Sequence, residues 1–217
     1  VMTHEIMNSV APIASLADTL KGRLIHDPSP EEIDDLGVGI ETIKKRSEGL
    51  LRFAQTYRNL NKVSQPQIKP IPVGELFSNM YNLLNPTMEQ KNIDFDITLK
   101  DPQLILYADP NLIEQVLINL LLNAKDALQE KPDAQIQLSA TDAGNKLIIK
   151  ISDNGSGIPG EVLDKIFVPF FSTKSNGSGI GLSLSKQIML MHKGNIHVAS
   201  KENEGTAFEL VFPKQYG

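Results

Sequence analysis

A histidine near the start of the chain stands in a setting suited to nucleophilic chemistry. His4 is followed directly by Glu5, and Asn8 comes one helical turn later. At about 100° per residue, His4 falls roughly opposite the apolar stripe of the helix predicted around it, so we expect it to face water. A neutral imidazole, whose usual pKa is about 6.5, can attack a phosphoryl group, and a neighbouring carboxylate can stabilise the cation that forms. We therefore predict that His4 accepts a phosphoryl group with help from Glu5.

A second group of residues has the types and spacing to bind a nucleotide. Asn119 and Asn123 are four residues apart and share one face of a predicted helix, with Asp126 adjoining. Three segments rich in glycine, serine or phenylalanine follow, and they are Asp153-Asn-Gly-Ser-Gly-Ile-Pro159, Phe167 to Lys174 and Gly177-Ser-Gly-Ile-Gly-Leu182. Glycine lets a backbone approach a ligand without a Cβ in the way. Glycines that precede a helix, here one from Gly181, bring free N–H groups and a positive dipole end to phosphates.

The composition of the 217 residues is that of a mildly acidic globular protein. The formal charge is −5, which argues against nucleic acid as a partner, and the lack of cysteine excludes disulfides and thiolate metal sites. No apolar run in the sequence is long enough to span a membrane and no export leader is present, so we expect a cytoplasmic fragment without membrane contact of its own. Because Val1 stands just ahead of the histidine, we also expect that an upstream sensor has been cut away and that the full-length protein is compatible with the inner face of the cell membrane.

The first quarter of the chain has the pattern of a helical hairpin. Apolar residues at three-four spacing predict one helix over residues 3–25 and a second from the cap at Ser29 to about Val63, separated by a break at His26 to Pro30. Two antiparallel helices with one apolar stripe each cannot enclose a core alone. We therefore predict a homodimer in which two hairpins form a four-helix bundle.

The rest of the chain alternates between helical and strand patterns. Pro66, Pro70 and Pro72 mark a linker, so we predict domains at residues 1–65 and 66–217. We predict helices at 73–91, 110–130, 160–166 and 181–192, and strands at 93–100, 104–107, 134–141, 146–152, 195–200 and 206–212. Asp109 is expected to cap the second of these helices, with Pro110 in its first turn. The predicted fold is a helical hairpin followed by a two-layer α/β sandwich.

The order and spacing of these segments resemble the transmitter core of a two-component sensor histidine kinase over nearly all of the chain. His4 to Asn8 resembles the H box, Asn119 to Asp126 the N box, and Phe167 to Lys174 the F box, while Gly177 to Leu182 and Gly205-Thr206 are similar to two glycine boxes. The resemblance implies a Bergerat-type ATP-binding domain that uses ATP and Mg²⁺. It also implies autophosphorylation of His4 and transfer of the phosphoryl group to an aspartate of a response-regulator receiver domain.

The resemblance further implies a role for individual side chains. Asn8 would orient a water that hydrolyses the phosphoaspartate of the regulator. Asn123 would supply an oxygen to Mg²⁺, with support from Asn119, since magnesium prefers hard ligands. Asp153 would accept a hydrogen bond from the adenine amino group. The other nucleotide-binding residues implied are Asp126, Gly155, Gly157, Ile158, Phe167 at the start of a hinged lid, Lys174 at a phosphate, Gly179, Gly181, Leu182, and Thr206 near the base.

The sequence departs from the family pattern at a few positions. Met7 and Ser9 stand where the family often has a basic residue and a proline, and Pro12 is similar to the pattern of nitrogen-regulation-type kinases. Asp126 occupies the place of a lysine found in many members, while Lys125 is turned by about 100° from it. Either residue can therefore be the one that contacts the nucleotide. The other histidines, at positions 26, 192 and 197, lack the His-Glu-x-x-Asn setting and are interpreted as structural or solvent-facing.

Three other functions remain open. The nucleotide fold is shared with gyrase-type, mismatch-repair and Hsp90-type ATPases, in which the place of Asn119 commonly holds a glutamate that activates water. An amide cannot act as such a base, which favours a protein acceptor over water. A non-catalytic dimeric scaffold is disfavoured because Asn123, Asp153 and the glycines are all present. A member biased toward phosphatase activity is compatible with Asn8.

Overall fold

The computed structural model describes residues 2–23, 33–44, 47–48, 66–129, 131–174 and 179–214, with side chains described from Val10 onward. The chain divides into two compact units. The first comprises Val1–Ser64 and Pro169–Ile180, and the second comprises Gln65–Val168 and Gly181–Gly217. Among the described residues, no helix is both long and apolar enough to cross a membrane.

The first unit is built on two helices that contact each other. Helix α1 spans Met2–Arg23 and helix α2 spans residues 33–44, with residues 47–48 also helical. Leu20 of α1 lies against Gly39 of α2, where a Cβ would approach the Leu20 Cδ2 atom to 2.7 Å. Leu20 and Leu36 are buried. The two predicted helices are therefore present in part, and the glycine allows their close approach.

Much of the predicted apolar stripe is exposed in the single chain. Val10, Ile33 and Ile40 are 38%, 57% and 59% exposed, and Ala17 is exposed as well. The turn predicted at residues 26–30 and the second helix beyond residue 48 lie outside the described residues. Exposure of these positions leaves the helix pair with apolar surface that its own two helices do not cover.

Within its described residues, the second unit holds two sheets and four helices. Strand β1 is Lys69–Pro72, β2 Asp94–Leu99, β3 Ile105–Ala108, β4 Gln135–Asp142, β5 Lys146–Asp153, β6 Asn195–Lys201 and β7 Gly205–Pro213. Helix α3 is Val73–Gln90, α4 Pro110–Ala127, α5 Gly160–Leu163 and α6 Gly181–Met191. Five strands form a mixed sheet in the order β2-β4-β5-β7-β6, in which only β2 and β4 run parallel. Strands β1 and β3 form a separate antiparallel pair.

Alternation along the strands separates the two faces of the five-stranded sheet. Positions such as Ile136, Ile149 and Leu210 are buried, and α3, α4 and α6 contact this side of the unit. The neighbouring positions, such as Asp96 and Gln137, are exposed. A strand with a period of two places apolar residues under the helices and polar ones in water. The predicted two-layer α/β sandwich is confirmed.

Helix α4 begins where its capping residues predicted. The Asp109 carboxylate accepts hydrogen bonds from the N–H groups of Asn111 and Leu112, and Pro110 occupies the first turn. These bonds satisfy donors that have no partner within the helix. Its buried face comprises Ile113, Val116, Leu117, Leu120, Leu121 and Ala124. The helix that carries the two asparagines is thus fixed at its start and along one face.

Three predicted elements differ from the structure, and one of them is α4, which was predicted to reach residue 130 but ends at Ala127. Residues 69–72 were expected to be linker, but they form strand β1, in which Pro70 pairs with Tyr107 and Pro72 with Ile105. Proline is tolerated there because a strand paired on one side needs only every second N–H in the ladder. The helix predicted at 160–166 ends at Leu163 and continues as turns.

Candidate functional site

The H-box residues lie on the first helix. His4, Glu5 and Asn8 are all within α1, as the spacing predicted. Their side chains are outside the described part of the chain, and the expectation that His4 faces water stays a prediction.

Asn119 joins the two helices that carry the nucleotide motifs. Its Nδ2 atom donates a hydrogen bond to Ser185 Oγ at 2.9 Å, which ties the middle of α4 to α6. A Cβ on Gly181, the first residue of α6, would lie 2.0 Å from Asn119 Oδ1. A side chain at position 181 would displace the Asn119 amide, so glycine leaves room for this amide at the start of α6. Ser185 was not singled out from the sequence, although a serine on the apolar side of a helix signals a buried partner.

Asn123 and Asp126 follow on the next turns of α4, and both are partly buried. Lys125 Nζ lies 3.4 Å from Asp126 Oδ1, so the basic and acidic residues at this place pair with each other. Such a pair, with side chains 19% and 37% exposed, leaves both groups accessible to a ligand.

Asp153 and Thr206 stand opposite each other at the ends of neighbouring strands. They pair in register between β5 and β7, and Asp153 Oδ1 accepts a hydrogen bond from the Gly155 N–H at 2.9 Å. Thr206 Oγ1 lies 2.9 Å from Ser200 Oγ, which also accepts the Ile158 N–H at 2.8 Å. Ser200, which sequence reasoning missed, thus joins two of the predicted site residues.

Glycines in the loop after β5 are needed for contacts within the protein. A Cβ on Gly155 would come within 2.6 Å of Ala127 O, and one on Gly157 within 2.1 Å of Lys201 O. The Ser156 N–H also donates to Ala127 O at 3.0 Å, which fastens the loop to the end of α4. Both glycines were predicted to let the backbone approach a base. The close contacts of this loop with the backbone at Ala127 and Lys201 already require glycine at both positions, without any bound base.

Phe167 contacts a cation on α6. Lys186 Nζ lies 5.1 Å from the centre of the Phe167 ring, a cation–π distance. This contact holds Phe167, the first residue of the F box, against α6, the helix that begins at Gly181. Leu182, on the first turn of that helix, is partly buried.

The remaining predicted residues of the F box and of the glycine box at Gly177 to Leu182 are Lys174 and Gly179, and both belong to the first unit. Lys174 is exposed, and its N–H donates to Ser172 Oγ at 3.1 Å. Gly179 has a φ of +66°, and its carbonyl accepts the Phe170 N–H at 2.9 Å. Gly177 lies outside the described residues. The second unit brings together Asn119 with Gly181, and Asp153 with Gly155 and Thr206.

The chemistry of this side-chain set fits a nucleotide. The amides on α4, the carboxylate of Asp153 and the hydroxyl of Thr206 offer hydrogen-bond partners from α4, β5 and β7. Ser185 ties α4 to α6, Ala127 ties the end of α4 to the loop after β5, and Ser200 ties Thr206 to the same loop. The start of α6 presents N–H groups without helical partners, which favour an anion. Neutral amide oxygens are hard ligands of the kind that magnesium accepts.

Comparison with known proteins agrees with this arrangement. Residues 108–216 match the family model described as histidine kinase-, DNA gyrase B- and HSP90-like ATPase. The chain is 31% identical to the sensor histidine kinase ZraS of Escherichia coli K12, over 98% of this chain and 44% of that protein. It therefore spans less than half the length of that relative.

Comparison with solved structures also finds histidine kinases. The catalytic domain of the histidine kinase ThkA matches with a TM-score of 0.63 and 35% identity, covering 68% of this chain and 96% of that one. ThkA in complex with the response regulator protein TrrA matches with a TM-score of 0.61 and 27% identity, covering 99% of this chain and 60% of that one. The chain belongs to the histidine kinase-, DNA gyrase B- and HSP90-like ATPase family, and within it to the sensor histidine kinases of two-component systems.

Proposed function

We propose that this chain is an ATP-dependent protein-histidine kinase that phosphorylates its own His4 and passes the phosphoryl group to an aspartate of a response-regulator receiver domain. The observation that carries this proposal is the Asn119 side chain. Its amide is committed to Ser185 Oγ, at the place where a water-activating carboxylate would stand in a hydrolase. A neutral amide cannot take a proton from water, so attack by water should be slow and a protein nucleophile is favoured.

Nucleotide binding follows from the elements that meet at α4 and α6. Asp153 accepts a hydrogen bond from the adenine amino group, with Thr206 and Ile158 beside the base. The N–H groups at Gly181 and Leu182 face the phosphates. The glycines at 155, 157 and 179 shape the surrounding loops, and Phe167 and Lys174 belong to the segment that closes over the nucleotide.

Mg²⁺ is part of the proposal through Asn123. Its amide oxygen would hold the ion together with nucleotide phosphates, supported by Asn119, and Asp126 or Lys125 would contact the same region. Magnesium neutralises charge on the phosphates during transfer. Protein residues contribute position and polarity, since phosphoryl transfer depends mainly on alignment and electrostatics.

The transfer itself is a displacement at phosphorus. A ring nitrogen of His4 forms a bond to the γ-phosphorus while the bond to the bridging oxygen breaks and its electron pair leaves with ADP. The proton stays on the other ring nitrogen, where Glu5 holds it and stabilises the imidazolium. The phosphoryl group then moves to the carboxylate of the regulator. In the opposing phosphatase reaction, Asn8 orients a water that hydrolyses the phosphoaspartate of the regulator.

We also propose that the two parts of the chain have separate roles. Residues 1–65 form the dimerisation and phosphotransfer hairpin, and residues 66–217 form the catalytic domain. Exposed apolar positions on α1 and α2 support a homodimer, because they give the hairpin a surface to bury. The regulator complex of ThkA, a kinase of the same family, supports a receiver domain as partner.

One experiment separates a kinase from a hydrolase. The protein is incubated with Mg²⁺ and ATP labelled in the γ-phosphate, and protein-bound label and released phosphate are counted together. We expect acid-labile label on the protein and phosphate release that is slow by comparison. Asn123→Ala should abolish labelling, while Asn111→Ala, the same change on the exposed first turn of α4, should not. Rapid phosphate release without protein label would instead identify an ATP hydrolase.

A further inference from the structure

A buried aspartate joins three separate segments of the second unit, two through its carboxylate and one through its backbone N–H. Asp109, only 6% exposed, caps α4 through Oδ1, which accepts the N–H groups of Asn111 at 3.1 Å and Leu112 at 3.3 Å. Its Oδ2 atom accepts the N–H of Gln67 at 2.9 Å. One oxygen therefore serves the helix and the other holds the segment through which the chain enters the unit.

The backbone of the same residue is held by a histidine at the end of α6. The Asp109 N–H donates to His192 Nε2 at 2.9 Å, and His192 Nδ1 lies 2.8 Å from Ile188 O. The only proton arrangement that satisfies both contacts is a neutral ring with hydrogen on Nδ1. His192 has no exposed surface, and its burial lowers its pKa, which favours that neutral form. The end of α6 is thus fixed to the start of α4.

The entering segment makes a tight turn at this point. The Ile68 N–H donates to Pro66 O at 3.0 Å, which forms a three-residue turn centred on Gln67. The φ of Gln67 is negative, as in an inverse γ-turn. Strand β1 begins at Lys69, directly after the turn. The bond from Gln67 to Asp109 therefore fixes where the segment arriving from residues 1–65 meets the folded unit.

Helices α4 and α6 are tied at two levels. Asp109 and His192 join them at one end, and Asn119 and Ser185 join them again where α6 begins. A displacement of Gln67 would pull on the cap of α4, and the two ties oblige α6 to follow. Coupling between sites is carried by hydrogen-bond networks and rigid packed elements of this kind.

We propose that Asp109 is a positioning residue that couples the entering segment, residues 66–68, to the two helices of the nucleotide site. This rests on the proposed function in that ATP binds at α4 and α6. Nucleotide binding should steady residues 66–68, and the position of these residues should in turn set how well the bound nucleotide is aligned for phosphoryl transfer. Release of the tie should lower the transfer rate and leave nucleotide affinity nearly unchanged, since neither Asp109 nor Gln67 is among the residues proposed to bind the nucleotide.

Two variants remove the tie in different ways. Asp109→Asn keeps one side-chain oxygen, which accepts the two N–H groups at the start of α4. The new NH₂ group then faces the Gln67 N–H, and it cannot accept a hydrogen bond. Gln67→Pro removes the donor and leaves Asp109 intact, and the turn suits proline because its φ is close to that of an inverse γ-turn. Asp101→Asn is the matched control, because the Asp101 carboxylate accepts the Gln103 N–H at 2.9 Å on an exposed turn.

The test combines amide hydrogen exchange of residues 66–72, affinity for a non-hydrolysable ATP analogue with Mg²⁺, and the autophosphorylation rate. In wild type and Asp101→Asn, the analogue should slow exchange of this segment. In Asp109→Asn and Gln67→Pro that protection should vanish, and the rate should fall by about fivefold or more while affinity changes by less than about twofold. If Asp109→Asn fails to fold, Gln67→Pro provides the same test with the cap intact.

Contrary results separate the two claims. If wild type binds the analogue and labels itself but the variants retain protection and rate, the coupling is wrong and the proposed function stands. If affinity and rate fall together in both variants, Asp109 is structural only. If wild type neither binds the analogue nor becomes labelled, the proposed function fails, and the coupling fails with it.

Discussion

Glycine at position 157 is required by two features of its surroundings. Its φ is +68°, and a Cβ would lie 2.1 Å from the carbonyl oxygen of Lys201. The adjoining Ser156 accepts the Asn203 N–H at 2.7 Å, so the loops after β5 and after β6 are pressed together here. Gly160, three residues on, has no atom within 4 Å of its would-be Cβ. The two positions allow the same substitution to be compared in a crowded and an open place.

We expect Gly157→Ala to lower the free energy of unfolding by about 2 to 4 kcal/mol, because it combines backbone strain with a clash against main-chain atoms. Gly160→Ala should be neutral, or stabilising by up to about 1 kcal/mol, since alanine reduces the entropy of the unfolded chain. Urea unfolding of both proteins measures the difference. Equal stabilities would show that the loops after β5 and β6 are not in close contact.

At the scale of elements, the sequence predicted the regular parts of the second unit closely. Helix α3 and the pair β4 and β5 lie within one or two residues of their expected bounds, and α4 begins at the expected Pro110, because apolar periodicity and the Asp109-Pro110 cap are local signals. Strand β1 was missed because its pairing with β3 depends on tertiary contact and its prolines indicated a linker.

The sequence predicted which residues belong to the candidate site, but not the hydrogen bonds that join them to the rest of the protein. The motifs identified Asn119, Asp153 and Thr206, which all lie at points where elements meet. Ser185 is 66 positions from Asn119, and no local pattern indicates that the two side chains bond. His192 was expected to be structural or solvent-facing, and it is buried. Its bond to Asp109, which spans 83 positions, is fixed only by the packing of α6 on α4.

The joint between α4 and α6 should weaken in acid. His192 has a pKa below its usual 6.5 because burial disfavours the charged ring, although the Asp109 carboxylate and Ile188 carbonyl oppose this shift. The unfolded state then binds more protons, so the contribution of His192 to stability is complete above pH 6.5 and is lost as pH falls toward the folded pKa. The slope for one proton cannot exceed about 1.4 kcal/mol per pH unit.

Urea unfolding from pH 7.5 down to pH 5 tests this expectation, with His192→Gln removing the titrating group. The difference in stability between wild type and this variant should shrink as pH falls. His197→Gln, on an exposed position of β6, is the control and should leave the pH profile of wild type unchanged. A difference independent of pH would contradict the assignment of a neutral, acid-sensitive ring at position 192.

At the scale of the whole molecule, the two units differ in how completely their apolar side chains are buried. The second unit has a continuous core under its sheet, in which Leu117, Leu138 and Phe212 are completely buried. In the first unit, by contrast, Val10, Ile33 and Ile40 remain exposed within the described helices. Burial of such side chains contributes about 1.5 to 3 kcal/mol each when it is complete, which favours association of two copies.

We therefore expect a dimer at a protein concentration of about 10 µM, which requires an association free energy of about −7 kcal/mol or more favourable. Sedimentation equilibrium measures it. The double change Ile33→Glu and Ile40→Glu should give a monomer, because charge is costly in an apolar interface. Leu190→Glu adds charge at a position on α6 that is 53% exposed and should leave the dimer intact. A wild-type monomer, or a dimer that survives the double change, would refute assembly through the hairpin.

The central claim is that a nucleotide bound in the second unit phosphorylates a histidine in the first. It is tested most directly by incubating wild type, His4→Ala and His197→Ala with Mg²⁺ and ATP labelled in the γ-phosphate, followed by acid treatment. Wild type and His197→Ala should carry acid-labile label, whereas His4→Ala should bind ATP with unchanged affinity and carry none. Label of equal amount on His4→Ala would contradict the account, since the phosphoryl group would then have another acceptor.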